Sequence, residues 1–260
     1  MNRTIEMIRT TLLFTLLLLP AGESFGAEAL DEASLRLELT RNSFANVAVS
    51  SLESKELYDQ DSLAKATHFM NLSILVLRST GWTRDQALAH LKEIARIYNT
   101  DSCRILIRKA FVIETDPYQG ITVIDWGSVF SLPNIKGVDI KIADQFPQDL
   151  PRPAIVLVRS VLFPADTAYS AAAFKANPFP NYVNSTWIPV KVNDPNYIKS
   201  LPEGYDPVAH ELAHLLGNVG HNNLAEPNIL NDDFSKINDK ILPEQCTRFV
   251  QSPMVFEGNR

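Results

Sequence analysis

The segment that most restricts the fold is residues 210–221, HELAHLLGNVGH, which carries three of the five histidines in this 260-residue chain. His210 and His214 are four positions apart, so on a helix they lie on one face about one turn apart. His221 comes seven positions after His214. It can reach the same point only if the helix ends and the chain turns back. The segment therefore predicts a helix followed by a tight return.

The flanking residues predict where this helix begins and ends. Asp206 is a suitable N-cap, and Pro207 suits the first helical position, where its missing N–H costs nothing. We predict a helix from Pro207 to about Leu216, ended by Gly217 in a left-handed conformation. Gly220, two residues further on, also suits the turn that leads to the third histidine.

Three imidazoles directed at one point are typical of a zinc site. Zinc binds imidazole nitrogen at ~2.0–2.1 Å, and a catalytic zinc keeps three protein ligands and one open position. Glu211 lies beside these ligands, where a carboxylate can take a proton from water and return it to a leaving group. We predict one Zn²⁺ per chain, held by His210, His214 and His221, with Glu211 as general base. The alternative is a helix that is rich in histidine by coincidence.

The other two histidines carry no such signal. His90 falls within a predicted helix and His68 precedes a predicted strand. We expect both to have structural or surface roles.

The N-terminus has the pattern of a secretory signal peptide. Two arginines precede the apolar run LLFTLLLLP at 12–20, and small residues follow it. We predict a signal peptide over 1–26, with cleavage after Ala29 as an alternative. A membrane anchor is the other interpretation, but crossing the bilayer takes ~20 apolar residues, more than this run contains.

Composition and cysteine count add to the expectation of export. No second long apolar run follows, so the sequence predicts a soluble secreted or periplasmic protein without a stable membrane span, which we expect to be a monomer. With 30 acidic and 24 basic side chains the net charge is −6, which disfavours nucleic-acid binding. The two cysteines, Cys103 and Cys246, favour a disulfide in an oxidising compartment. Two unpaired buried thiols are the alternative.

The rest of the chain predicts a mixture of strands and helices. Residues 27–65 are polar and mixed in charge, and suit either an N-terminal extension or a propeptide; residues 66–260 are expected to form the catalytic domain. A helix should begin after Thr83, with Gln86 completing a capping box. Further elements are predicted as strands at 69–79, from Cys103 onward, at 152–161, 167–174 and 185–193, and as a last helix that opens at Pro243. The element order indicates an α+β or mixed α/β fold.

The histidine segment resembles the zinc signature of the metzincin metalloproteases, His-Glu-x-x-His-x-x-Gly-x-x-His. The resemblance implies an α+β zincin fold with a mixed twisted sheet, an active-site helix and a small C-terminal subdomain that ends in a helix. It also implies a zinc endopeptidase whose protein or peptide substrate pairs with an edge strand, which residues 167–174 could supply. The alternatives are a proteolytically silent zinc-binding relative and a zinc hydrolase of non-peptide substrates.

Two features depart from the family pattern. The usual spacing would put the third histidine at Gly220, so His221 comes one residue late, and we expect Gly220 to absorb the extra residue by taking a positive φ. The family also carries a methionine in a tight turn beneath the zinc. Leu230 stands in that place here and can preserve an apolar floor, with Met254 as the competing candidate.

Overall fold

A mixed β-sheet forms the centre of the structure, a computed structural model. It describes residues 31–258 apart from 43, 117–122, 126–149, 163–171, 175–183, 203–204, 232 and 234–235. The predicted signal peptide and positions 167–171 of one predicted strand lie outside the described residues. Residues 31–260 cluster as one compact unit. None of the described helices is long and apolar enough to cross a bilayer.

The described strands are β1 (Ala45–Glu53), β2 (His68–Leu77), β3 (Asn99–Thr100), β4 (Cys103–Asp116), β5 (Val123–Asp125), β6 (Ala154–Val158), β7 (Ser160–Leu162), β8 (Ala172–Phe174), β9 (Ser185–Pro189) and β10 (Val255–Glu257). The described α-helices are α1 (Glu32–Arg41), α2 (Ser54–Leu57), α3 (Gln60–Lys65), α4 (Arg84–Tyr98), α5 (Pro195–Ser200), α6 (Pro207–Gly217) and α7 (Pro243–Val250). A 3₁₀ turn, Val190–Asn193, follows β9.

The central sheet has the order β1-β4-β2-β6-β9-β8. Its inner strands β4, β2, β6 and β9 run parallel, whereas β1 and β8 pair antiparallel with their neighbours. Parallel strands are buried on both faces, which explains why β2 and β6 read as nearly continuous apolar runs. The predicted α+β class with a mixed sheet is confirmed.

Each face of the sheet packs into its own core. Ile74 and Val76 of β2 point into the larger core, which contains residues of α4, α6 and α7. Leu75 and Leu77 alternate with them and point into the second core, to which α1 contributes Leu35. This alternation follows from the two-residue period of a strand. The sheet therefore separates the histidine helix from the N-terminal helix.

The predicted capping box of α4 is confirmed. The backbone N–H of Gln86 donates to Thr83 Oγ1 at 3.2 Å, and the N–H of Thr83 donates to Gln86 Oε1 at 2.9 Å. The predicted strand at 185–193 is shorter than expected, because its second half winds into the 3₁₀ turn.

The N-terminal residues take part in the sheet. β1 pairs antiparallel with β4, from Ala45 beside Asp116 to Glu53 beside Lys109. This strand was not predicted, because the partner that stabilises it lies more than 50 residues further along the chain. The division of the chain at residue 65, and the removal of a propeptide, remain predictions.

The C-terminal elements close back on the sheet. α7 begins at Pro243 as predicted, and Cys246 within it forms a disulfide with Cys103 at the start of β4, with the two Cα atoms 5.3 Å apart. The chain does not end in this helix. β10 follows it and pairs with the first residues of β2.

Candidate metal centre

The helix that carries the first two histidines, α6, is enclosed by protein. Asp206 caps it, with Oδ1 accepting hydrogen bonds from the N–H groups of Val208 and Ala209, both at 2.8 Å, and Pro207 occupies the first helical position. Residues 207–216 are all buried. The predicted start of the helix is confirmed, and its burial on every side indicates a rigid support for the histidines.

The three histidines of the motif converge on one point. The Nε2 atoms of His210 and His221 are 3.0 Å apart, those of His214 and His210 are 3.1 Å apart, and those of His214 and His221 are 3.3 Å apart. Nitrogens that bind one tetrahedral zinc at ~2.0–2.1 Å lie about 3.3–3.4 Å from each other. The observed triangle matches this separation or is a few tenths of an ångström smaller, so the group could hold a metal ion.

Hydrogen bonds indicate which ring nitrogen carries the hydrogen in two of these histidines. His210 Nδ1 lies 2.5 Å from the carbonyl oxygen of Ile229, and His214 Nδ1 lies 2.9 Å from that of Val219. A carbonyl oxygen only accepts, so each Nδ1 carries the N–H, and in a neutral ring each Nε2 keeps its lone pair. Two such lone pairs cannot hydrogen-bond to each other. A cation at their centre would satisfy both, and backbone carbonyls holding the other ring nitrogen are typical of metal-bound histidines.

The surroundings also favour the neutral form of His210. Burial, together with the adjacent His214, lowers the pKa of His210 to about 3. Neutral imidazole is the form that binds a metal.

The return loop differs from the prediction at both glycines. Asn218, not Gly217 or Gly220, takes the left-handed conformation, with φ 47°, and Gly220 does not have a positive φ. Asn tolerates this conformation because its short polar side chain can bond locally. Gly217 is required for space instead: a Cβ there would lie 2.9 Å from a methyl group of Val219 and 3.0 Å from the ring of Phe249.

The turn predicted to replace the methionine turn lies against the histidines. Leu230 is 1% exposed and belongs to the larger core. The backbone contributes as well, because Ile229 O accepts from His210 and Leu230 O accepts from the N–H of Asn222 at 2.7 Å.

Glu211 is buried on α6 directly after His210, with 8% of its surface exposed. Tyr205 is close to both residues. Its ring meets that of His210 edge-on at 5.4 Å between centroids, and burial together with the charge of Glu211 raises the pKa of the Tyr205 phenol. The sequence analysis missed Tyr205, and nothing in its local sequence distinguishes it from the other six tyrosines.

The helix is also fixed from α4. Asp206 Oδ2 lies 2.7 Å from Nδ1 of His90, and the Tyr98 hydroxyl donates to the carbonyl oxygen of Ala209 at 3.0 Å. Burial acts to lower the pKa of His90, but the hydrogen bond and charge of Asp206 outweigh it, so the pKa of His90 is raised. His90 has the structural role expected of it, whereas its partner, 116 residues away, was not foreseen.

Comparisons with known proteins find a likeness among solved structures and none among sequences. No protein-family model matches the sequence, and no curated protein matches it. The structure is similar to the crystal structure of metalloproteinase-II from Bacteroides fragilis, with 14% sequence identity and a TM-score of 0.40. The likeness covers 72% of this chain and 54% of that one, so this chain spans about half the length of the solved protein.

Proposed function

We propose that this protein is an exported zinc-dependent endopeptidase. The observation that carries the proposal is the triangle of Nε2 atoms, 3.0–3.3 Å on a side, in which hydrogen bonds to backbone carbonyls direct two lone pairs inward. His210, His214 and His221 would hold one Zn²⁺. When bound, zinc would supply the Lewis acidity that activates water and polarises a peptide carbonyl.

Glu211 would act as the general base. Its carboxylate is buried and follows the first ligand along the helix. It would accept a proton from the attacking water and deliver that proton to the leaving amine nitrogen, so that the carboxylate is regenerated when the peptide bond breaks. A zinc site that only binds would have no use for a base at this position.

The substrate would pair with β8. This strand ends the order of the central sheet, and α6 packs against both β8 and β9. An extended peptide can add to such an edge through backbone hydrogen bonds, which places its scissile bond near the histidine helix.

Export is supported by two independent features. The N-terminal sequence has the pattern of a signal peptide, and the disulfide between Cys103 and Cys246 is of a kind that persists in oxidising compartments.

The test is Glu211→Gln, which keeps the size of the side chain and removes the proton acceptor. We expect zinc content to remain near one per chain and cleavage of a fluorescent peptide library to fall by ~10²–10⁴-fold, mainly in kcat. Glu244→Gln, which alters an exposed carboxylate on α7, is the matched control and should leave kcat unchanged.

A glutamine variant that cleaves as fast as the parent would refute the role of Glu211. Parent protein that contains zinc, but cleaves no peptide with or without a chelator, would instead favour the silent relative or a hydrolase of non-peptide substrates.

A further inference from the structure

Three side-chain amides form a connected cluster beneath the histidines: Asn222, Asn228 and Gln245, called here the amide cluster. Asn228 is completely buried and Gln245 is 5% exposed. Buried amides are costly unless they are hydrogen-bonded, so a cluster of this kind is expected to have a specific structural purpose.

Asn228 is the centre of the cluster. Its Oδ1 accepts from Gln245 Nε2 at 2.7 Å, from the backbone N–H of Leu230 at 3.0 Å and from Asn222 Nδ2 at 3.2 Å. Its Nδ2 donates to the carbonyl oxygen of Glu226 at 2.9 Å and to Asn222 Oδ1 at 3.2 Å. One side chain thus holds the turn, the segment after the third histidine and the C-terminal helix.

The turn held in this way contacts both ends of the histidine motif. The carbonyl oxygen of Ile229 accepts from Nδ1 of His210, and that of Leu230 accepts from the N–H of Asn222, the residue after His221. A shift of the turn would therefore move the acceptor of the first ligand and the anchor of the third ligand together.

The amide cluster also connects the turn to a fixed element. Gln245 Oε1 accepts from the backbone N–H of Leu242 at 2.8 Å at the start of α7. The next residue, Cys246, is bonded to Cys103 on β4. The turn beneath the histidines is thereby connected to the central sheet through α7.

We propose that Asn228 is a positioning residue of the metal centre, which fixes the carbonyl of Ile229 against His210 and the backbone after His221. The inference rests on the proposed zinc function. Leu230 provides the apolar floor beneath the ligands, whereas the amide cluster provides the directional contacts that an apolar side chain cannot make.

The experiment compares the zinc affinity of Asn228→Leu with that of the parent by competition against a chromophoric chelator, without substrate. Asn228→Leu has a similar volume and makes none of the hydrogen bonds. Loss of outer contacts to metal ligands typically lowers metal affinity by ~10–100-fold, and we expect a loss in that range. We also expect the visible absorption of the Co²⁺-substituted protein to change, because that spectrum reports ligand geometry.

Thr115→Val is the matched control. The Thr115 side chain is fully buried, and its hydroxyl donates to the carbonyl oxygen of Ala45 at 2.9 Å, between β4 and β1. This variant loses a buried hydrogen bond away from the histidines. We expect its melting temperature to fall while its zinc affinity and Co²⁺ spectrum stay those of the parent.

Asn222→Ala provides a second measurement if Asn228→Leu does not fold, because Asn222 is only partly buried. It removes two of the contacts to Asn228 and should weaken zinc binding in the same direction. Unchanged zinc affinity in the variant that folds would overturn the positioning role and leave the proposed function intact. A parent protein that binds no zinc would overturn both.

Discussion

Removing the Cys103–Cys246 disulfide is expected to lower the free energy of unfolding substantially. The two cysteines are 143 residues apart, so the bond closes a loop of more than half the chain. In the chain-entropy model a loop of that length restricts the unfolded chain by about 17 cal/mol/K, or about 5 kcal/mol at 25 °C. Losses measured for native disulfides are commonly ~2–5 kcal/mol, and we expect Cys103→Ala/Cys246→Ala to fall in that range.

The assay is urea unfolding of the double variant and the parent at the same free zinc concentration. Zinc must be matched, because a ligand that binds only the folded chain raises stability by mass action. The slope of the unfolding free energy against urea should also rise in the variant, since an unfolded chain without the crosslink exposes more surface.

The matched control is the parent protein, reduced while unfolded and kept in reductant. It opens the same loop without removing sulfur atoms. Both cysteines are buried, at 1% and 9% exposure, so any additional loss in the double variant reports the missing sulfur packing. A fall in stability below about 1 kcal/mol with an unchanged urea slope would refute the loop argument. Free thiols at both positions in native protein would refute the disulfide itself.

Three further outcomes are expected. His214→Ala should lose tight zinc binding, because two ligands make an incomplete site, while His68→Ala should keep one zinc per chain; stoichiometric zinc in His214→Ala by elemental analysis would contradict the assignment. The raised pKa of His90 means that its pairing with Asp206 stabilises the fold fully below pH 6.5 and less as the pH rises through the folded-state pKa. The urea stability difference between the parent and His90→Asn should therefore shrink from pH 6 to pH 9, and a constant difference would show that the pairing does not depend on His90 protonation. Asn218→Gly should bind zinc like the parent, whereas Asn218→Val, which resists a positive φ, should bind it more weakly; equal affinities by chelator competition would show that the loop does not need this conformation.

The sequence predicted those elements whose signals are local. The capping box of α4 depends on Thr83 and Gln86, three positions apart, and the start of α6 depends on Asp206 and Pro207, which are adjacent. The position of His210 and His214 on one face of α6 follows from helical periodicity alone. In each case the interacting residues are near neighbours in the chain, so a single sequence is sufficient to predict the feature.

The remaining features depend on contacts between distant segments. Gly217 is needed because a Cβ there would crowd Val219 and the ring of Phe249 on α7, and the contact with Phe249 joins residues 32 positions apart. Asn228 looks like an ordinary turn residue in the sequence. Its role depends on a hydrogen bond from Gln245, 17 residues later, which only the folded structure shows.

The third histidine, His221, lies one position beyond the usual spacing of the motif, and the structure shows what this extra residue changes. An extra residue before a ligand would be expected to carry it up to ~3.3–3.6 Å away from its site. Here the left-handed conformation of Asn218 turns the chain, and the carbonyl oxygen of Val219 accepts from Nδ1 of His214. The Nε2 atom of His221 still lies 3.0 Å from that of His210. The added length is taken up within the loop, which also supplies a hydrogen-bond acceptor for His214. The change in spacing thus alters the connection between the histidines, and their three Nε2 atoms still meet at one point.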